Sequence, residues 1–178
     1  MQFYQDFELI TKSNQDIDSE STFKIPSNEE VQALIGKDLQ KGDEITKVTL
    51  HIKLIGLPHD YSKAVLHLKV HTKMYGKIDQ LYIAGCELNT ISNNCSAVQI
   101  TNFSTQYWKK GLGKLFMNMI LDWLNRARYT LVIGNTAATQ NEYLPFFYKM
   151  GFVESNINYM NRRNNHKNIW IFKLLENT

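Results

Sequence analysis

The chain has 178 residues, with 20 lysines and arginines against 17 aspartates and glutamates and a formal net charge of +3. This length predicts a single domain spanning residues 1–178, and the small charge excess excludes a dedicated nucleic-acid coat. Because no run of about 18 apolar residues occurs, the sequence argues against a membrane span and predicts a cytoplasmic protein.

An exposed loop and one helix are predicted at the start of the chain. The polar stretch 11–22 is typical of a loop. Ser27 then offers a favourable helix N-cap, acidic residues follow it, and apolar residues recur at helical spacing as far as Leu39. We therefore expect a helix that begins after Ser27.

Strands are predicted in the middle of the chain. Apolar and polar residues alternate over 48–54 and again over 66–70, with turn-forming residues at 56–60 between them. This pattern predicts a β-hairpin. Two further strands are expected over 80–86 and 97–103.

The last third of the chain alternates helices and strands. A broad apolar stripe over 115–124 indicates a helix that starts near Gly113. A buried strand over 129–134, a short helix over 141–150 and a last strand over 169–175 are predicted to follow. The order of elements predicts a mixed α/β fold.

The junction between the strand and the helix within 98–114 is the most informative segment. The first turn of a helix exposes amide donors with the positive end of the helix dipole behind them, which suits a phosphate. Gly111 and Gly113 would let the backbone approach such a ligand closely. Three lysines add cationic charge there, namely Lys109, Lys110 and Lys114. A plain tight turn is the alternative interpretation of the two glycines.

Residues 97–175 resemble the GNAT N-acetyltransferase superfamily. The first core motif of that family, Q/R-x-x-G-x-G/A at a strand-to-helix junction, is matched by WKKGLG at 108–113. A second motif of the form N…A…FYxKxGF is similar to 135–152, which ends in FFYKMGF. The resemblance implies one GNAT-like domain of mixed α/β (α+β) class. Its central sheet would be twisted, mixed and largely antiparallel, with about six to seven strands, flanked by helices and splayed at the cofactor site.

The resemblance also implies an activity and a set of cofactor contacts. The implied reaction is transfer of an acetyl group from acetyl-CoA, a cosubstrate, to a primary amine by direct attack on the thioester, without a metal. The strand before the loop would contact the pantetheine arm, the loop amides would hold the pyrophosphate, and an asparagine would contact pantetheine or cap the short helix. The implied contacts are Asn102, Phe103, Ser104, Lys109, Lys110, Gly111, Leu112, Gly113, Lys114, Asn135, Asn141 and Phe147.

Two departures from the family pattern affect the mechanism. Trp108 replaces the usual Gln or Arg, and Phe147 stands where the family has the tyrosine that protonates the leaving thiolate. The neighbouring Tyr148 and Tyr143 are the candidates for this acid, with simple packing as the alternative for each. Glu87, at the end of a predicted strand, is the candidate base for the attacking ammonium, with an exposed structural carboxylate as the alternative.

The sequence is also compatible with other functions. The two departures also suit a CoA-binding or regulatory module that keeps the fold and has weakened chemistry. A basic cluster near the end of the chain suits either a solvated surface or an acetyltransferase acting on an RNA-linked amine, and it comprises Arg162, Arg163, His166 and Lys167. The acidic first 44 residues favour a cationic acceptor by electrostatic steering. No membrane partner is expected, and a homodimer is left open.

The cysteines and histidines predict no special chemistry. Cys86 and Cys95 lack the spacing of a zinc site, so both are predicted to be reduced thiols. The histidines likewise lack the spacing of metal ligands, so we expect no metal.

Overall fold

A computed structural model of the chain describes residues 15–17, 23–39, 43–57, 60–74, 77–91, 96–137, 142–155, 159–160 and 167–176. The helices within these ranges are α1 (Asn28–Ile35), α2 (Leu112–Arg126) and α3 (Leu144–Lys149). The strands are β1 (Gln15–Ile17), β2 (Glu44–Leu57), β3 (Asp60–Met74), β4 (Lys77–Thr90), β5 (Ala97–Thr105), β6 (Leu131–Ala137), β7 (Val153–Glu154), β8 (Tyr159–Met160) and β9 (Lys167–Leu174).

All of these strands belong to one mixed sheet. Their order is β1-β2-β3-β4-β5-β6-β9-β7, with β8 also pairing with β9. Among the described pairs, β5 and β6 run parallel and the others run antiparallel. The predicted fold class is therefore confirmed. Within the described residues the sheet has nine strands rather than six or seven, because the short strands β1, β7 and β8 extend it.

The predicted loop over 11–22 is wrong at its centre. β1 lies there and pairs with β2, with Gln15 opposite Ile52 and Ile17 opposite Leu50. Pairing at a sheet edge uses backbone donors and acceptors, which a polar sequence supplies as well as an apolar one. Amino-acid composition therefore does not predict such a strand. The other residues of 11–22 lie outside the described part of the chain.

The helix predicted after Ser27 is confirmed, although it is shorter than expected. The Ser27 hydroxyl accepts a hydrogen bond from the Glu30 N–H at 3.1 Å, and the Glu30 carboxylate accepts one from the Ser27 N–H at 2.8 Å. This reciprocal capping box satisfies two amides at the start of the helix. The helix ends at Ile35, because Gly36 follows it and glycine is a poor helix former. Leu39 is still buried, in the turn beyond the helix.

The strands β2, β3 and β4 form a long antiparallel meander that includes the predicted hairpin. Val48 lies opposite Val70 and Leu50 opposite Leu68, so buried side chains of neighbouring strands share one face. Cys86 of β4 belongs to this buried face as a free thiol, and its pKa is raised by burial and by the neighbouring Glu87. Cys95 lies outside the described residues.

The parallel strands β5 and β6 separate partway along their length. They pair over four positions, ending with Ile100 opposite Gly134. β5 then continues to Thr105 beside β4, whereas β6 continues beside β9. A bulge at Asn102, where φ is 52°, shifts the register with β4 and changes the course of β5. No described strand pairs with the β6 side of β5 beyond Ile100, so the expected splay of the sheet is present.

The helix α2 supplies much of the core beside this opening. Its buried residues follow the predicted apolar stripe and include Phe116, Met119 and Trp123. Trp123 stacks on Phe23 with ring centroids 4.9 Å apart, which joins α2 to the segment before α1. None of the helices formed by the described residues has both the length and the apolar composition needed to cross a bilayer.

Candidate functional site

A cavity of about 470 Å³ opens at the end of β5 that no longer pairs with β6, and this volume is typical of a small-molecule site. Its walls come from β5, the loop at 106–111, the first turn of α2, and α3 with the turn before it. The described lining residues are Phe103, Ser104, Thr105, Tyr107, Trp108, Lys109, Gly111, Gly113, Lys114, Glu142, Tyr143, Pro145, Phe146, Phe147 and Lys149.

The first turn of α2 presents amide donors at this cavity. The Leu115 N–H donates to the Gly111 carbonyl at 3.0 Å, which is the first hydrogen bond of the helix. The amides of Leu112, Gly113 and Lys114 precede it and therefore have no acceptor within the helix. No side chain caps this end of α2. These donors, with the positive end of the helix dipole, can bind an anion.

The shape of the loop before α2 depends on Gly111. Its φ of 89° lies in the left-handed region, where a side chain is strained, and a Cβ there would lie 3.3 Å from Leu34 Cδ2. The neighbouring Lys110 pairs with Asp38 beyond α1, with Nζ 3.2 Å from Oδ2. At the start of the loop, the Gln106 N–H donates to the Ile83 carbonyl of β4 at 3.0 Å. The loop is thus anchored to the turn after α1 and to the sheet.

The charged residues in the cavity lining are mostly cationic. Among its described residues, Lys109, Lys114 and Lys149 carry positive charge, and Glu142 is the one carboxylate. A concave site with this charge balance attracts anionic ligands. The free backbone amides of the first turn of α2 and the three lysines therefore surround the same cavity.

Aromatic side chains form two groups in the cavity. The ring of Phe103 on β5 packs against Phe146 at 5.5 Å and Phe147 at 6.1 Å, measured between centroids. The rings of Trp108 and Tyr143 meet edge to face at 5.1 Å. Tyr143 precedes Phe147 by about one helical turn, so the two groups are neighbours along α3.

The two tyrosines considered as acids lie in different environments. Tyr143 lines the cavity against Trp108. Tyr148 is not among the lining residues, and its hydroxyl donates to the Glu154 carboxylate at 2.9 Å. This hydrogen bond raises the pKa of Tyr148, with smaller contributions from burial and the charge of Glu154. Phe147 itself lines the cavity and packs against Phe103, but it has no hydroxyl to donate a proton.

Glu87 lies beside the bulge of β5 rather than in the cavity lining. Its carboxylate accepts a hydrogen bond from Lys63 Nζ at 2.8 Å and a longer one from the Thr101 hydroxyl at 3.4 Å. The Lys63 bond, aided by hydrogen bonds from Asn102 and Thr101, holds the pKa of Glu87 below its usual range, although partial burial opposes the shift. Glu87 is therefore an ionised carboxylate at neutral pH that also holds the bulge.

The remaining predicted contacts are not confirmed as side chains of the cavity lining. The Leu112 side chain is buried in the core, so Leu112 can offer only its backbone amide. Asn102, Lys110 and Asn135 are not among the described lining residues. Several predicted residues lie outside the described part of the chain, namely Asn141, Arg162, Arg163 and His166, and the Lys167 side chain is likewise not described.

Some lining residues were not anticipated from the sequence. Thr105 and Tyr107 lie just before the loop motif at 108–113, and Glu142, Phe146 and Lys149 come from α3 and the turn before it. The spacing of these last three, four and three residues apart, places them on one face of a helix. That periodicity could have indicated them. Within the described ranges, no three His, Cys, Asp or Glu side chains are grouped to hold a metal ion.

Comparison with known proteins places the fold among acetyltransferases. No family model and no curated protein matches the chain. A probable acetyltransferase from Staphylococcus epidermidis matches 65% of this chain and 69% of its own, with a TM-score of 0.51 and 11% identity. Mutant forms of the spermidine/spermine N-acetyltransferase SpeG from Vibrio cholerae match the same shares, with a TM-score of 0.51 and 14% identity. At these identities the likeness shows a shared fold.

Proposed function

We propose that this chain, which has the fold of the GNAT N-acetyltransferases, transfers an acetyl group from acetyl-CoA to a primary amine. The observation that carries the proposal is the open first turn of α2. Its amides and the neighbouring lysines adjoin a cavity at the end of β5, where pairing with β6 has stopped. A diphosphate needs several convergent donors and positive charge, and this junction supplies both.

The described residues fit the two polar parts of acetyl-CoA. The amides of Leu112, Gly113 and Lys114 would hold the pyrophosphate. The backbone of 103–105, on the edge of β5 that no described strand covers, would hydrogen-bond the pantetheine arm as an added strand does. Gly111 supports this fit, because its left-handed conformation positions the loop before the amides.

Direct transfer forms a C–N bond and breaks the thioester C–S bond, with the amine proton lost and the CoA thiol released. The residues of this chain would contribute by holding the two reactants together, and backbone N–H groups near the bulge would polarise the thioester carbonyl. Because Phe147 has no acidic proton, protonation of the leaving thiolate would fall to Tyr143, which lines the cavity, or to solvent.

We propose that Glu87 binds the acceptor amine. Its ionised carboxylate would attract and orient the acceptor ammonium near the bulge, while its low pKa makes it a weaker proton acceptor than an ordinary glutamate. Hydrogen bonds to charged groups contribute enough that we expect Glu87→Gln to raise the acceptor KM about tenfold. The measurement is steady-state kinetics with the acceptor varied.

Glu154→Gln is the control for this variant, because Glu154 is a carboxylate bonded to Tyr148 outside the cavity lining. Lys63→Met adds a pH test. Loss of the Lys63 hydrogen bond should raise the pKa of Glu87, so the acid limb of activity should move to higher pH. An unchanged KM in Glu87→Gln, together with an unmoved acid limb in Lys63→Met, would remove Glu87 from the mechanism.

A CoA-binding module with weakened chemistry is the second candidate function. Phe147 lines the cavity beside Phe103, and Tyr148 is bonded to Glu154 elsewhere, which favours this reading. The two candidates share the same binding site and differ in turnover.

Binding and turnover measured in turn test both candidates. Isothermal titration with acetyl-CoA should show saturable binding by the purified chain. Incubation with polyamines, peptide N-termini and lysine peptides should then release CoA thiol with at least one class of amine. Binding without turnover on the whole panel would favour the module, and absence of binding would overturn both.

A further inference from the structure

We propose that His67 is the base that takes a proton from the acceptor ammonium. The inference rests on the proposed function and adds to it the group that would make the amine nucleophilic. Glu87 is poorly suited to this step, because its low pKa makes its carboxylate a weak proton acceptor. His67 belongs to β3, and its place in the sheet connects it to the cavity.

His67 lies across β4 from the cavity. It is opposite Gly85 of β4, and Gly85 is opposite Ser104 of β5, which lines the cavity. Residues opposite each other in antiparallel strands carry their side chains on the same face of the sheet. The side chains of His67 and Ser104 therefore share one face, and the residue between them has no side chain.

Gly85 lets the His67 ring lie over β4. A Cβ at Gly85 would lie 2.7 Å from His67 Cδ2 and 3.2 Å from His67 Nε2, so the imidazole occupies the space that a side chain there would need. Tyr82 contacts the ring edge to face, with 5.0 Å between the centroids. The imidazole thus extends from β3 over β4, in the direction of β5, with a nitrogen that can accept a proton.

His67 and Glu87 flank the position proposed for the thioester. The His67 ring covers the position opposite Ser104, and Glu87 is opposite Thr101. The bulge of β5 lies between these last two residues. An amine bound by Glu87 beside the thioester would therefore have the imidazole on its other side and would pass its proton there directly or through one water.

The surroundings of His67 keep its imidazole neutral. Burial lowers the pKa of His67, and the charges of His51 and Lys69 lower it further. The other titratable groups around the ring are Tyr82, which contacts it, and Glu87, which lies on the same face of β4. Because the ordinary pKa of histidine is about 6.5, the lowered value leaves the neutral form dominant at neutral pH.

One of the two protons lost by the ammonium is assigned to His67. The imidazole takes the first proton, the free amine attacks the thioester carbonyl, and the C–N bond forms as the C–S bond breaks. The second proton lost by the amine is balanced by the proton that the CoA thiolate gains from Tyr143 or solvent. The imidazolium then releases its proton to solvent, because His67 is only partly buried.

His67→Gln tests the assignment, because glutamine keeps a hydrogen-bonding side chain and cannot act as a base. We expect kcat for thiol release to fall about 100-fold at neutral pH, as loss of a positioned base does. The rate of the variant should recover as the pH approaches the pKa of the acceptor amine, because the amine then arrives uncharged. The measurement is kcat against pH, and titration calorimetry should show unchanged affinity for acetyl-CoA.

Gly85→Ala tests the position of the ring while keeping the histidine. Its methyl group would displace the imidazole, so kcat should fall with unchanged affinity for acetyl-CoA, and thermal melting checks the fold. His51→Gln is the matched control, because His51 is also a histidine near Tyr82, on the far side of His67 from the cavity. It should keep full kcat at mildly alkaline pH. Loss of a charge that lowers the pKa of His67 should move the acid limb to higher pH.

The outcomes separate this inference from the proposed function. Acetyl transfer by His67→Gln with the kcat and pH profile of the unaltered chain would overturn the assignment and leave the proposed function standing. A loss of rate that does not recover at alkaline pH would indicate a structural role and would likewise overturn it. If the unaltered chain transfers acetyl to none of the amines in the panel, both proposals are wrong.

Discussion

Gly113→Asp is expected to abolish CoA binding while the fold stays intact. Gly113 lies in the first turn of α2, and a Cβ there would lie 3.4 Å from Phe146 Cε2 and 3.6 Å from Thr105 Cγ2, contacts that the neighbours can accommodate. An aspartate near a helix N-terminus is favourable for the helix. Its carboxylate would face the bound diphosphate, and like charges about 4 Å apart near a protein surface repel by roughly 4 kcal/mol. The expected loss of affinity exceeds about 100-fold.

Gly113→Ala separates charge from bulk in this experiment. The alanine adds the same Cβ without the carboxylate, so it should bind acetyl-CoA with a much smaller loss than the aspartate variant. Titration calorimetry measures the affinities and thermal melting checks the fold. Normal binding by a folded Gly113→Asp protein would show that the diphosphate is not held at this turn.

Phe147→Tyr is expected to increase the turnover number about tenfold. Phe147 lines the cavity beside Phe103, near the proposed thioester end, and carries no acidic proton. A positioned general acid contributes about 10² to 10⁴ in rate, and a tyrosine introduced without further adjustment should recover part of that range. The measurement is kcat for thiol release at saturating acetyl-CoA with an acceptor found by the amine panel.

Phe146→Tyr is the control, because Phe146 also lines the cavity and packs on Phe103. It adds the same hydroxyl at a neighbouring position that the family motif does not associate with the acid. A rise confined to Phe147→Tyr would support protonation of the leaving thiolate at that position. Equal rates for the unaltered chain and both variants would show that this proton transfer does not limit the reaction.

Periodicity was sufficient to predict most of the fold. The alternation at 48–54 and 66–70 predicted paired strands, and the apolar stripe at 115–124 predicted α2, because burial on one face imposes these spacings. The cap at Ser27 was predicted from local hydrogen-bonding chemistry alone. The edge strand β1 was missed, since backbone pairing leaves little trace in a polar sequence.

The candidate site was only partly predictable. The glycines and lysines at 109–114 predicted an anion site, because all the groups that would bind the anion lie within one short segment. The end of β5–β6 pairing at Ile100, which opens the sheet, depends on how two strands distant in sequence diverge. The contact of Trp108 with Tyr143 likewise joins residues from separate elements, and no spacing rule predicts it.

The burial of Cys86 bears on the redox behaviour of the protein. Thiol–disulfide exchange requires an accessible thiolate, and Cys86 is both buried in the core and resistant to deprotonation. The reaction proposed here would release a free thiol as its product at every turnover. Oxidised forms of that product should therefore leave Cys86 unmodified, so this residue would not couple the catalytic cycle to mixed-disulfide formation.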